Sequence, residues 1–340
     1  MVNRWPRAVG GADKLPGACY KSRPEDFRVT EQLGVEPAGE GEHLLVFVEK
    51  TNLTSQDAAR LLARRFGVFE RDVGLAGMKD KRAVTRQWFS LPYAGRVDAQ
   101  SISENENENC SLRIIESRRH THKLRRGQLS GNHFELRLCE LTHPVEPAAL
   151  QRLQDQGVPN YFGPQRFGRD NFETARQWLS VRRSRRVSAF KKGLYLSVLR
   201  SFLFNEILAA RVLAGNWHKL IDGDFEQNQA PTGPLWGRGR SATAGLAAQI
   251  EAQALAEHQQ LLDGLEFAGV AQQRRAFKVT PAELSWQQPA EDELLLSFKL
   301  PPGAYATVVL GELAELQPVA QLPLAAQVDE TSRAIGETRQ

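Results

Sequence analysis

Asp26-Phe27-Arg28-Val29-Thr30-Glu31 alternates apolar and polar side chains, the period of two that sets one face of a strand on a core and the other toward water. A little further on, Leu44-Leu45-Val46-Phe47-Val48 is apolar throughout and reads as a more buried strand, so the two together predict sheet. Thr54-Ser55-Gln56-Asp57 then offers a capping-box start for a helix. Ala58, Leu61, Leu62 and Phe66 share one face of that helix, and Gly67 is its natural stop. Outward from this core, 87–91, 112–115 and 133–141 are further strand candidates. Glu104-Asn105-Glu106-Asn107-Glu108-Asn109 has the composition of a surface loop. The first 141 residues therefore read as mainly antiparallel strands with a few helices, an α+β pattern.

The character changes near residue 145. Pro147 can open a helix that runs to Gly157, and 189–214 and 244–265 carry apolar residues at helical spacing, separated by a Gly- and Pro-rich loop at 229–239. Strand pattern returns at Glu293–Leu300 and at 306–310, flanking Pro301-Pro302-Gly303. A helical middle between strand-rich ends predicts a helix-rich α/β domain inserted into an α+β domain whose sheet the C-terminal strands complete. The expected division is 1–157, 158–300 and 301–340.

At 340 residues the chain can bury a sizeable core, and a small binding module is excluded. Its 44 Lys and Arg exceed its 40 Asp and Glu only slightly, so clustering matters more than net charge. The three cysteines, Cys19, Cys110 and Cys139, fit neither a disulfide framework nor a thiolate metal site, and a reducing cytoplasm is the expected compartment. The start of the chain has no apolar leader, and no apolar run is long enough to span a bilayer.

Two basic segments stand out. Gly77-Met78-Lys79-Asp80-Lys81-Arg82 sets one carboxylate among three cations after a glycine turn. On composition alone this is either a solvated turn or an ionised carboxylate serving as nucleophile or general base. Arg118-Arg119-His120-Thr121-His122-Lys123-Leu124-Arg125-Arg126 has almost no compensating acid, and a phosphate backbone is its natural partner. Arg118, Arg119, Lys123, Arg125 and Arg126 are accordingly candidate RNA contacts. Asn132 and Phe134, two apart on a strand, present an amide beside a ring that serves either base stacking or the core. Pro159-Asn160-Tyr161-Phe162-Gly163-Pro164-Gln165-Arg166-Phe167-Gly168-Arg169 interleaves rings with cations and adds Arg166 and Arg169 to the RNA track. The glycines at 163 and 168 lack the Lys-Ser/Thr of a phosphate-binding loop, and His120 with His122 lack the further ligands a metal needs.

Five segments in this order resemble the tRNA pseudouridine synthase D family. They are Lys21-x-x-Pro24-Glu25-Asp26-Phe27-x-Val29-x-Glu31; Gly77-x-Lys79-Asp80-x-x-Ala83-x-Thr85-x-Gln87; Gly131-Asn132-x-Phe134; Gly157-x-Pro159-Asn160-Tyr161-Phe162-Gly163-x-Gln165-Arg166-Phe167-Gly168; and Leu300-Pro301-Pro302-Gly303-Ala304-Tyr305-Ala306-Thr307. The resemblance implies a pseudouridine-synthase catalytic domain on a mixed, mainly antiparallel sheet, with a family-specific helix-rich α/β domain inserted. It implies tRNA as substrate, uridine 13 of the D arm as target, and Asp80 as the catalytic carboxylate, without cofactor or metal. Phe27, Asn132 and Tyr305 are then expected to contact the uridine and Phe134 to pack on the flipped base, with Lys21 paired to Asp80 or to a phosphate. Tyr305 departs from the phenylalanine expected there. The chain is read as a cytoplasmic monomer with no membrane association and no obligate protein partner. A non-catalytic RNA-binding protein or RNA chaperone is the alternative, which has no need of Asp80.

Overall fold

A computed structural model describes residues 5–9, 15–93, 103–107, 110–168, 170–180 and 187–318. The chain divides into two compact units. One comprises Leu15–Val145, Ala282–Pro302 and Ala314–Gln340; the other comprises Met1–Lys14, Glu146–Pro281 and Gly303–Leu313. Among the described residues, no helix is long and apolar enough to cross a membrane.

The first unit is built on a sheet of eleven described strands. Across its main path run Ala282–Ala290, Glu293–Leu300, Leu129–Cys139, Phe27–Leu33, Val84–Pro92, His43–Thr51, Cys110–His120 and Ser103–Asn107. Phe27–Leu33 pairs in parallel with Val84–Pro92 and Gly17–Tyr20 in parallel with Glu315–Pro318, while the other pairings are antiparallel. The fold is thus the expected α+β class with a mixed, mainly antiparallel sheet.

Helix Ser55–Phe66 forms where its caps predict. Thr54 accepts from the Asp57 amide, Asp57 reaches back to Thr54, and Gly67 ends the helix at φ 65°, a left-handed conformation that suits glycine. Its buried Ala58, Leu61 and Leu62 pack on Leu44, Val46, Val48, Phe89, Leu91, Leu112 and Ile114 from one sheet face. Each such large aliphatic side chain, fully buried, contributes roughly 1.5–3 kcal/mol. Leu45 and Trp88 serve the opposite face with Leu124.

The second unit is centred on the 25-residue helix Ala189–Leu213, whose Val198, Leu199, Phe202, Leu203, Ile207 and Leu208 are buried. Helices Asn171–Ser180, Gly245–Leu255 and Gln259–Phe267 and a small sheet of Glu226–Gln227, Ala230–Leu235 and Gln273–Ala276 belong to this unit.

Several sequence expectations are corrected. The stretch 306–310 is helical, Ala306–Gly311, because Ala306, Val309 and Leu310 are buried at helical spacing, and that packing overrides a β-branched run. Ser103–Asn107 is an edge strand, since its backbone pairs with Cys110–His120 whatever its composition; Glu108 and Asn109 lie outside the described residues. The loop read at 229–239 contains strand Ala230–Leu235, in which Pro231 and Pro234 sit within the ladder. The helix read at 244–265 is broken by a 3₁₀ turn at Ala256–His258. The compact units also part at other places than 157/158 and 300/301. Within strand Glu293–Leu300, Leu294 to Leu300 pair residue for residue with Leu138 to Asn132, which puts 282–302 in the large sheet, while the helix from Pro147 belongs to the other unit.

Candidate active site

Cross-strand register assembles one face of the sheet before any loop is considered. Lys50 lies opposite Thr85, Thr85 opposite Val29, Val29 opposite Phe134, and Phe134 opposite Phe298, which makes a row across five strands. Two residues along, Glu31, Asn132 and Leu300 form the next row on the same face. Phe27 and Phe134 are buried and meet edge to face at 6.3 Å, and Phe298 stacks obliquely on Phe134 at 5.6 Å. These rings form an apolar floor. Asn132 stands at its edge, with an Oδ1 that is buried and has no hydrogen-bond partner.

The loop carrying Asp80 is fixed by buried polar groups. Ser55 accepts the Lys79 amide at 2.8 Å and donates to Gln87 at 2.7 Å, and Gln87 in turn donates to the Gly77 carbonyl at 3.2 Å. The Lys79 ammonium is paired with the buried Glu31, whose other oxygen accepts the Trp88 amide. Lys50, fully buried, donates to the Leu53 carbonyl at 2.5 Å and to the Asp80 carbonyl at 3.2 Å. Such satisfied networks hold a loop in one geometry.

At the end of this scaffold the Asp80 carboxylate is 39% exposed and accepts from the Lys21 ammonium at 2.6 Å. Lys21 adopts φ 58°, the left-handed region, and lies 3.9 Å above the Phe27 ring centre. A second link ties the same segments, since Arg82 donates to the Ser22 carbonyl at 2.9 Å. Burial, followed by the Asp80 charge, raises the pKa of neighbouring Tyr20. Chemically, this is a reachable carboxylate paired with a cation, on a sheet face that also carries an aromatic floor and a buried, unpartnered amide acceptor. It can act as nucleophile or base on a planar, uncharged ring.

Of the basic run, Arg118, Arg119, Arg125 and Arg126 are exposed, while Lys123 donates to the Arg71 carbonyl. Arg119 lies 4.5 Å over the Tyr93 ring and holds the Gly41 carbonyl, and Arg118 faces Glu116. In the helix-rich unit, the 159–168 segment is not a stacking track: Tyr161, Phe162 and Phe167 are core residues. Asn205 accepts the Phe162 amide and donates to its carbonyl, and Arg275 holds Asn160 and the Gly303 carbonyl. Arg166 is half-buried against Ser201, and Arg169 lies outside the described residues. Tyr305 packs edge-on to Phe162 within this unit, with its pKa raised by burial. The structure thus brings Lys21, Phe27, Asp80, Asn132 and Phe134 into one unit and sets Arg166 and Tyr305 in the other.

The chain matches the family model described as tRNA pseudouridine synthase D over residues 14–176 and 225–313. It belongs to the tRNA pseudouridine synthase D family. A relative of that name from Pseudomonas entomophila is 41% identical over 93% of this chain and 96% of its own length. Another from Chromohalobacter salexigens is 39% identical over 92% and 96%. A crystal structure from Methanosarcina mazei, assigned to tRNA pseudouridine synthase D, shares the fold with a TM-score of 0.63 at 22% identity, covering 90% of this chain and 95% of that one.

Within this member of the synthase D family, the motif residues around Asp80 have structural partners that sequence reading did not supply. Glu31, Lys79 and Gln87 belong to the matching segments and form the buried network; Ser55 and Lys50 lie outside them. Lys50 had one available signal. It continues the alternation of Leu44, Val46 and Val48, a position where the period of two calls for an apolar side chain.

Proposed function

We propose that the chain is a tRNA pseudouridine synthase that isomerises uridine 13 of the D arm with Asp80 as the catalytic carboxylate. The observation that carries the role of Asp80 is its placement: a part-exposed carboxylate, paired with Lys21, on a loop that is anchored from beneath by buried, partnered Ser55, Gln87, Lys50 and the Lys79–Glu31 pair. A solvated turn has no need of such an anchor. Family membership and the named relatives support the reaction and the substrate class.

The reaction breaks the C1′–N1 bond of the uridine, turns the uracil, and joins C1′ to C5. The C5 hydrogen leaves as a proton and N1 gains one, so composition and oxidation state are unchanged and the chemistry calls for no redox cofactor. Both reacting positions are hidden in a stacked, paired nucleotide, so the base must leave its stack. Asp80 attacks the ribose carbon, removes a neighbouring proton or attacks the base; the 2.6 Å contact from Lys21 holds the carboxylate in place for any of these. Phe27 and Phe134 offer an apolar surface beside it, and the unpartnered Asn132 Oδ1 supports a hydrogen bond from the uracil N3–H. The part of Tyr305 in uridine binding rests on the sequence motif alone. Arg118, Arg119, Lys123, Arg125 and Arg126, with Arg166 and Arg169, are proposed phosphate contacts.

Substituting Asp80→Asn tests the proposal against a non-catalytic RNA-binding role. We expect pseudouridine formation to be lost and tRNA affinity kept; product from the variant removes Asp80 from the mechanism.

A further inference from the structure

Lys50 has no place in the chemistry described above, yet it is fully buried. It occupies a position on His43–Thr51 that faces the same side as Leu44, Val46 and Val48, where an apolar side chain satisfies the packing at no desolvation cost. Among the described residues it forms no salt bridge, so an ion pair does not account for the charge. What the ammonium touches instead are two backbone carbonyls, that of Leu53 at 2.5 Å and that of Asp80 at 3.2 Å. Asp80 is therefore held at both ends. Lys21 meets its carboxylate and Lys50 its carbonyl.

We propose that Lys50 is a positioning residue for the isomerisation: its buried ammonium fixes the backbone of Asp80 and thereby aims the carboxylate, an inference that rests on Asp80 being the catalytic group. A charged donor suits this task because its hydrogen bonds to carbonyls are stronger than those of a neutral amide or hydroxyl, and three N–H groups can engage acceptors on separate segments. A carboxylate displaced by a fraction of an ångström loses much of its advantage toward a bound substrate.

The charge state supports the geometry. Burial pulls the ammonium down to about 8, with Asp80 and, more weakly, Asp57 of helix Ser55–Phe66 acting to raise it and Lys79 to lower it. Lys50 is thus mostly charged at neutral pH, and the tether weakens as pH rises through that value.

The test is single-turnover pseudouridine formation on an unmodified tRNA transcript, from about pH 6.5 to 9.5, for the wild type, K50M, K50R and D80N, with tRNA affinity and thermal melting alongside. At pH 7 we expect K50M to react on the order of 10- to 100-fold more slowly than the wild type while binding tRNA equally well. The wild-type rate should decline through about pH 8, and K50R, which stays charged, should recover part of the lost rate and lack that decline. K50M reacting at the wild-type rate while D80N is inactive overturns the positioning role and leaves Asp80 in place. An active D80N overturns the assignment beneath it. Should K50M not fold, the pH profiles of wild type and K50R decide, and coincident declines count against Lys50.

Discussion

Asp80 and the side chains that fix it carry the functional argument, and two of them make separable predictions. Asn132 has a buried oxygen with no partner, so Asn132→Ala removes no folded-state hydrogen bond from that atom. We expect stability to change by no more than about 0.5 kcal/mol. Turnover on tRNA should fall by about tenfold or more, as for loss of one directed hydrogen bond to a reacting group. Urea denaturation beside single-turnover kinetics checks this, and equal losses in both mark Asn132 as a packing residue. Lys50 makes a prediction of sign. Its pKa lies near 8 when folded and at the ordinary 10.5 when unfolded, because burial disfavours the ammonium. Between those values the unfolded chain binds the additional proton, so the contribution of Lys50 to stability rises with pH across that window. The penalty is fully present below pH 8 and is relieved by pH 10.5, amounting to about 3 kcal/mol at most at 1.36 kcal/mol per unit. Relative to K50M, the wild type should therefore gain stability between pH 7 and pH 10, as read by urea denaturation; a constant difference contradicts the burial of a charged amine. Asp80 was singled out as a candidate because Gly77-x-Lys79-Asp80 is a local pattern, and its catalytic role is a proposal. The Glu31, Ser55, Lys50 and Gln87 network was not legible in the sequence, because its members come from four separate elements that only strand register and the packing of helix Ser55–Phe66 bring together.

Helix Ser55–Phe66 couples local structure to the site, since its cap orders the turn from which Ser55 holds the Lys79 amide. Thr54→Ala removes the cap and should cost about 1 kcal/mol, seen as a lower midpoint in thermal melting. The strand ending at His120 and the turn that follows it carry the exposed Arg125 and Arg126. Reversing both to Glu should weaken tRNA binding and make its logarithmic dependence on salt shallower by roughly 0.7–0.9 per lost phosphate contact. An unchanged slope removes these residues from the interface. Capped and strictly alternating elements were readable because caps and periods are written in adjacent residues. The helix Ala306–Gly311 and the strand Ala230–Leu235 were not, since Thr307-Val308-Val309 favours a strand locally and Pro231 with Pro234 argues against one, and packing and pairing decide otherwise.

For the chain as a whole, strands, then helices, then strands again indicated two units, and the order of elements carried that reading. Their limits were obscured because Ala282–Ala290 and Glu293–Leu300 follow the helical stretch directly in sequence yet pair into the large sheet. Likewise, the rings and cations of 159–168 read as an RNA track while Asn205 and Arg275 bind that segment into the helix-rich unit, contacts over 43 and 115 positions that no local pattern records. An isomerisation without redox change also predicts that pseudouridine forms in buffer with no added redox cofactor, and a step carried by Asp80 alone predicts that EDTA leaves the rate unchanged once the tRNA is folded. The most direct test of the central claim maps pseudouridine at nucleotide resolution in unmodified tRNA treated with wild type and with Asp80→Asn. Product confined to position 13 and formed only by the wild type is the predicted result. Product formed by the variant, or no product from the wild type on tRNA that it binds, contradicts the account.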